Sequence, residues 1–246
     1  MTVAIIAART GSKRLEGKNI KPFCGVPLVA WSIIQARCAG LIDKVYLTTD
    51  GDEIAEVGKA FGAEIIRRPH WDDAAEACSL RPFRHAIQTI SLGASDRVVT
   101  MLPPHVLRKP EDLDMAIAVH RDYGCDVVVG MIPQRETILY EIKNFMTGRL
   151  SIWDKTNKYG KLAGGFEVST VGNYMHRTRV KIDTDAALDA RPMSDYARLD
   201  QYFIKLQPWQ DHDTDTLEEF EMAEMVCKKY LPGGTGEYEM YAKGEI

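Results

Sequence analysis

Apolar residues along this chain come in short bursts, and their spacing switches between two periods. Val3–Ala8 is an unbroken apolar run that stops in polar, Gly-containing sequence, as a buried strand entering a loop does. Pro27–Ala39 sets Leu28, Trp31, Ile34 and Cys38 at helical spacing. Lys44–Thr49 reads as a second strand ended by Asp50 and Gly51, and Asp52–Phe61 as a helix with Gly62 where a C-terminal cap is expected. Glu64–Ile66, Arg97–Leu102 and Val127–Met131 read as further strands, and Ser79–Ile90 and Glu111–Tyr123 as further helices. Strands that alternate with helices are joined by crossovers, and crossovers cover both faces of a parallel sheet. The pattern predicts an α/β fold of three layers: a mainly parallel sheet flanked by helices.

The rhythm breaks between 133 and 200. Scattered apolar residues and many turn formers predict a small irregular insertion there, holding substrate contacts or a subunit interface. Phe203–Gln207 is expected to return to the sheet, and Thr216–Tyr230 to form a final helix. The sequence after Pro232 is Gly-rich and polar, as in a loose tail. The chain therefore reads as one domain over 1–231, with 133–200 as its insertion and 232–246 as a tail.

Composition changes the picture in three respects. A chain of 246 residues, 45% hydrophobic, buries a sizeable core. Its formal net charge is −4 and no long run of Lys or Arg occurs, which disfavours nucleic acid as a partner. An anionic ligand must then be met by a local positive cluster. The five cysteines (Cys24, Cys38, Cys78, Cys125 and Cys227) are scattered and never form a C-x-x-C pair. That argues against a disulfide framework or a zinc site and suits a reducing compartment. The opening apolar run is too short for a signal-peptide core or a membrane span, so a cytoplasmic location with no membrane partner is expected.

Such a positive cluster follows the first strand. Ala8, Arg9, Thr10, Gly11, Ser12, Lys13 and Arg14 lead on to Lys18 and Asn19. In a parallel sheet this loop falls at the carboxyl edge, where open α/β folds bind ligands. Its cations and glycines suit a triphosphate, because Arg grips phosphate oxygens through two donors and Gly lets backbone N–H groups approach. A solvated basic loop fits the same composition. Neither the G-x-x-x-x-G-K-[ST] nor the G-x-G-x-x-G spacing is present. Near the other end, Asp213 and Asp215 are two residues apart, which in extended chain puts both carboxylates on one face. They suit Mg²⁺ shared with a triphosphate. Thr216 with Glu219 also satisfies the capping-box rule, and both readings can hold together.

The stretch AIIAARTGSKRLEGKNIKPFCGVPLVAWSI closely resembles the opening of the acylneuraminate cytidylyltransferase family, which makes CMP-linked acid sugars. VYLTTDGDEIAEVGKAFGAEIIRRP is similar to that family's next segment, and DTDTLEEFEMAE to its ending. The resemblance implies the Rossmann-like nucleotide-diphospho-sugar transferase fold and transfer of CMP from CTP to a sugar hydroxyl, with release of pyrophosphate. Nucleotide contacts would come from Ala8, Arg9, Thr10, Gly11, Ser12, Lys13, Lys18, Asn19, Arg68 and Ser79. Arg9, Lys13, Lys18, Asp213 and Asp215 would act in catalysis, with Asp213 and Asp215 holding Mg²⁺ and Asp211 further out. A second D-x-D, Asp183 and Asp185, lacks the helix that follows in the family. The resemblance also implies a homodimer.

The sugar-facing half departs from the pattern. The family's L-Q-P-T-S-P-L-R becomes Leu102-Pro103-Pro104-His105-Val106-Leu107-Arg108, and its P-N-G-A-I-Y becomes Leu162-Ala163-Gly164-Gly165-Phe166-Glu167. Arg108, Lys161, Gly164 and Glu167 are the expected acceptor contacts. These departures leave open a sugar phosphate with another triphosphate, or a binding protein without catalysis.

Overall fold

The computed structural model describes residues 1–12, 14–71, 80–134, 141–142, 147–151, 159–175 and 200–230; for 133–134, 141–142, 147–151 and 159–164 only the backbone is described. Eleven strands occur among these residues: β1 (Thr2–Ala7), β2 (Pro22–Phe23), β3 (Val26–Pro27), β4 (Lys44–Thr49), β5 (Glu64–Arg67), β6 (Arg97–Met101), β7 (Val127–Gln134), β8 (Glu141–Ile142), β9 (Thr147–Ser151), β10 (Tyr159–Thr170) and β11 (Gln201–Lys205). The helices are α1 (Leu28–Cys38), α2 (Asp52–Ala60), α3 (Leu80–Thr89), α4 (Pro110–Tyr123) and α5 (Leu217–Tyr230), with a short helical turn at 171–175.

The main sheet runs β5-β4-β1-β6-β10-β7-β11-β9-β8, and β2 pairs with β3 as a separate hairpin. From β5 to β11 every strand but β10 points the same way. The parallel strands therefore end on a common edge, and the loops after β1, β4, β5 and β6 meet there.

Side-chain alternation in the strands builds two cores. Ala4 and Ile6 of β1, Val45 and Leu47 of β4, and Val99 and Met101 of β6 face α1, α2 and α4. Val3, Ile5, Tyr46 and Val98 face the opposite way, onto Phe83, Ala86 and Ile87 of α3 and Tyr174 of the 171–175 turn. The predicted three layers are present.

α1 is buried on all sides. Val29, Ile33 and Ala36 pack on the sheet, while Leu28, Trp31 and Ile34 meet Phe220, Ala223 and Cys227 of α5. A helix enclosed on both sides loses the polar stripe of a surface helix.

β10 lies within the stretch expected to be irregular, yet it is inserted between β6 and β7. Its register slips between Ala163 and Glu167, where Gly164 and Gly165 form a bulge. Two glycines and a slip hide the period of two that would mark a strand. Residues 135–140, 143–146, 152–158 and 176–199, including Asp183 and Asp185, and the tail from 231 lie outside the described residues.

Candidate active site

At the carboxyl ends of β1, β5 and β6 a cleft of about 350 Å³ opens, lined by the 7–19 loop, Arg68, Leu102–Pro104 and Asp215. The loop is fixed from below. Asn19 is buried and its Nδ2 donates to the Arg9 carbonyl at 2.9 Å. Thr10 donates through its N–H and its hydroxyl to Asp50, at 3.0 and 3.2 Å. Gly17, with φ of 62°, turns the chain into the short 3₁₀ turn that carries Lys18 and Asn19.

Asp50 is the anchor of this loop. Besides Thr10 it meets His70 Nδ1 at 2.9 Å and Arg68 Nη2 at 3.6 Å. Burial opposes ionisation, but the bonds from His70 and Thr10 and the Arg68 charge hold its carboxyl below the usual range. Trp71 lies 4.7 Å from the guanidinium of Arg68 and 4.7 Å from that of Arg81, which holds Arg68 in orientation. Sequence reading places Asp50 at a strand end and offers no signal for this hub.

The cleft's charge centre joins the two ends of the chain. Lys18 Nζ donates to Asp215 Oδ1 at 2.5 Å, and Arg14 Nη1 to Asp215 Oδ2 at 2.6 Å. Burial pushes the Asp215 carboxyl up, but Lys18 first and Arg14 next outweigh it, so it is ionised. The capping box is formed by the neighbours. Glu219 accepts from the Asp215 and Thr216 N–H groups at 3.0 Å, and Thr216 Oγ1 accepts from the Glu219 N–H at 3.2 Å. Thr216 therefore caps α5, while the Asp215 side chain faces the cleft.

The structure distributes the expected residues unevenly. Arg9, Ser12, Lys18, Asn19 and Arg68 line the cleft with Asp215. Ala8 lines it too, but its N–H already donates to Thr48 at 3.1 Å. Thr10 is tied to Asp50, and Gly11 is exposed with φ of 68°. Lys13 and Ser79 lie outside the described residues, and for Lys161 and Gly164 only the backbone in β10 is described.

Arg108 corrects an expectation. It was expected at the acceptor, but it is completely buried beneath the site. It donates to Gln35 Oε1 at 3.0 Å, Ser32 Oγ at 2.5 Å, and the Leu102 and Gly165 carbonyls at 3.2 and 3.4 Å. It joins α1 to the chain after β6 and to the β10 bulge, and so acts as a brace.

A second pocket of about 360 Å³ adjoins the cleft at Leu102, and Thr100, His105, Phe166, Glu167 and Tyr174 contribute to its wall. Glu167, one of the expected acceptor contacts, lines this second pocket. His105 was not anticipated. Its Nδ1 lies 3.7 Å from Asp213 Oδ1, and burial lowers its basicity despite the Asp213 charge. Gly165 holds φ of 53°, and a Cβ there would run into the His105 ring. The glycine thus lets the imidazole sit between the two pockets.

Among the described residues no group of three or more His, Cys, Asp or Glu could hold a metal. Asp215 faces the cleft, paired with Lys18 and Arg14, and Asp213 Oδ1 lies 3.7 Å from His105 Nδ1. Two carboxylates fit Mg²⁺, which keeps several waters and takes its remaining ligands from phosphates.

Comparison with known proteins agrees with this geometry. The chain resembles the structure of CMP:2-keto-3-deoxy-manno-octonic acid synthetase complexed with CTP at a TM-score of 0.72, covering 93% of this chain and 98% of that one at 16% identity. A cytidylyltransferase from Leptospira borgpetersenii superposes at a TM-score of 0.65 over 99% of this chain and 92% of its own, also at 16% identity. These likenesses define the class: an α/β protein with the nucleotide-diphospho-sugar transferase fold.

Sequence takes the assignment further. Residues 3–86 match the cytidylyltransferase family model. The CMP-N,N'-diacetyllegionaminic acid synthase of Legionella pneumophila is 30% identical over 132 residues, 51% of this chain and 56% of that protein. N-acylneuraminate cytidylyltransferase A of Danio rerio is 45% identical over 132 residues, 52% of this chain and 30% of its own length. The pseudaminic acid cytidylyltransferase of Campylobacter jejuni is 47% identical over 62 residues, 25% of this chain and 27% of its own. The aligned chain thus spans about half or less of these relatives. The chain thus resembles CMP-sugar synthases and cytidylyltransferases over part of its length.

Proposed function

We propose that this protein transfers CMP from CTP to a hydroxyl of an acid sugar and releases pyrophosphate. The observation that carries the reading is the meeting of Lys18, Arg14 and Asp215 in a cleft whose 7–19 loop lies within residues 3–86, the stretch that matches the cytidylyltransferase model. Arg9, Ser12, Lys18 and Arg68 would grip the triphosphate. Their positive charge opposes the negative charge that builds on the phosphoryl and leaving oxygens, so rate comes from positioning and electrostatics. Asp213 and Asp215 would hold Mg²⁺, which supplies charge neutralisation at the α-phosphate when bound. The acceptor would occupy the second pocket, with Glu167 and Tyr174 against the sugar and its reacting hydroxyl toward the cleft at Leu102. A homodimer, with 133–200 reaching to the partner, belongs to the same reading.

The test is pyrophosphate release in Mg²⁺, with four triphosphates crossed against acid sugars and sugar phosphates. Release with CTP and an acid sugar is expected. Release only with a sugar phosphate, or no release and no CTP binding by calorimetry, would sink the proposal. Among the described residues no helix is long and apolar enough to cross a membrane.

A further inference from the structure

We propose that Arg14 is a further triphosphate-binding residue that exchanges partners: it holds Asp215 in the free protein and moves to the phosphates when a nucleoside triphosphate enters the cleft. The inference rests on the reading of the cleft as the triphosphate site. Arg14 falls outside the positions at which the family resemblance implies nucleotide contacts, yet it stands in the cleft wall with Arg9, Ser12 and Lys18. Its Nη1 donates to Asp215 Oδ2 at 2.6 Å, while Lys18 Nζ donates to Oδ1 at 2.5 Å. Both oxygens of the carboxylate are thus engaged, each by a cation.

The two cations are held differently. The Lys18 side chain is 10% exposed and the Arg14 side chain 70%. An ion pair open to water is screened, and a long side chain loses rotamer freedom to make it, so such a pair contributes little. Arg14 is therefore the partner that leaves. The carboxylate cannot follow it. The Asp215 N–H is bound by Glu219 of the α5 cap at 3.0 Å. The preceding Thr214 is fully buried, and its hydroxyl donates to the Pro104 carbonyl at 3.2 Å. A triphosphate offers the guanidinium several negative charges and a grip through two donors at once, more than one fixed carboxylate oxygen gives it.

This exchange couples the two ligands of the site. While Arg14 and Lys18 cover Asp215, a divalent cation meets two positive charges at the oxygens it needs. Transfer of Arg14 to the phosphates uncovers Oδ2. Arg14 thus adds to the affinity for the anion and opposes the cation until the anion has arrived.

The test uses the full chain and two readouts that need no turnover. CTP binding is measured by calorimetry in EDTA, and Mn²⁺ binding without nucleotide by the spin resonance of the free ion. Arg14→Ala should weaken CTP by about tenfold. The same variant should tighten Mn²⁺ by about fivefold, the worth of one exposed ion pair. Arg9→Ala removes the same charge from the same cleft and should leave Mn²⁺ binding within about twofold, because a more distant exposed charge is screened. Asp215→Asn should lose Mn²⁺ and tighten CTP, since Arg14 is then released. The proposal is overturned if Arg14→Ala binds Mn²⁺ no tighter than the unsubstituted chain, if Arg9→Ala gains as much as Arg14→Ala, or if Arg14→Ala binds CTP normally. An unsubstituted chain that binds no CTP takes the triphosphate reading down with this one; CTP binding indifferent to Arg14 removes this proposal alone.

Discussion

Asp215 and Lys18 come from opposite ends of the sequence and meet at 2.5 Å in the cleft. Lys18 is buried at its stem by the fold of the loop, so its ammonium has little freedom to point elsewhere. Under the proposed reaction, Lys18→Ala should lower kcat/KM by about a hundredfold or more. Its melting temperature should change little, because Arg14 still faces Asp215. Near-native turnover in that variant would remove Lys18 from the machinery. A second residue sets a pH response. His120 of α4 is buried and accepts from Arg97 Nε at 3.2 Å. Burial first, and the Arg97 charge next, lower it from 6.5 to about 4. The unfolded chain therefore takes up this proton at higher pH than the folded one. The stability it contributes, about 3 kcal/mol, is complete above about pH 6.5 and lost as pH falls toward 4. Melting curves across that window should flatten in His120→Gln; an unchanged slope would place the acid sensitivity elsewhere.

Elements were legible where their periods are local. β4 and β6 fall within a residue of their expected ends, and α5 starts at its capping box. Thr216→Ala should cost about 1 kcal/mol in urea unfolding, since it removes one cap while the Glu219 bonds remain. A loss near zero would mean that packing of Phe220 and Ala223 alone holds the helix end. What links the elements was not legible. Arg108 looked like a ligand contact because its position in the motif matched, but its donors serve Ser32, Gln35, Leu102 and Gly165. Arg108→Ala strands those acceptors in a buried site and should cost about 4 kcal/mol by urea unfolding. A variant of normal stability with only a raised acceptor KM would restore the contact reading.

At the scale of the whole molecule, the site exists because parallel strands end on one edge and the chain returns to that edge with Asp215. The proposed homodimer is checked by sedimentation, where twice the chain mass is expected and the chain mass alone would refute it. The alternation of periods settled the α/β class, and the clustered cations after β1 marked where positive charge lines the cleft. Each depends on residues within a few positions of one another, so the linear order carries it. Tertiary structure decided the rest. It put β10 into the middle of the sheet, turned Arg108 inward, set His105 over Gly165, and tied the Cys24 N–H to Glu224 of α5. Those outcomes come from packing and desolvation between segments far apart in the chain, and no local spacing encodes which distant partner a buried group will find.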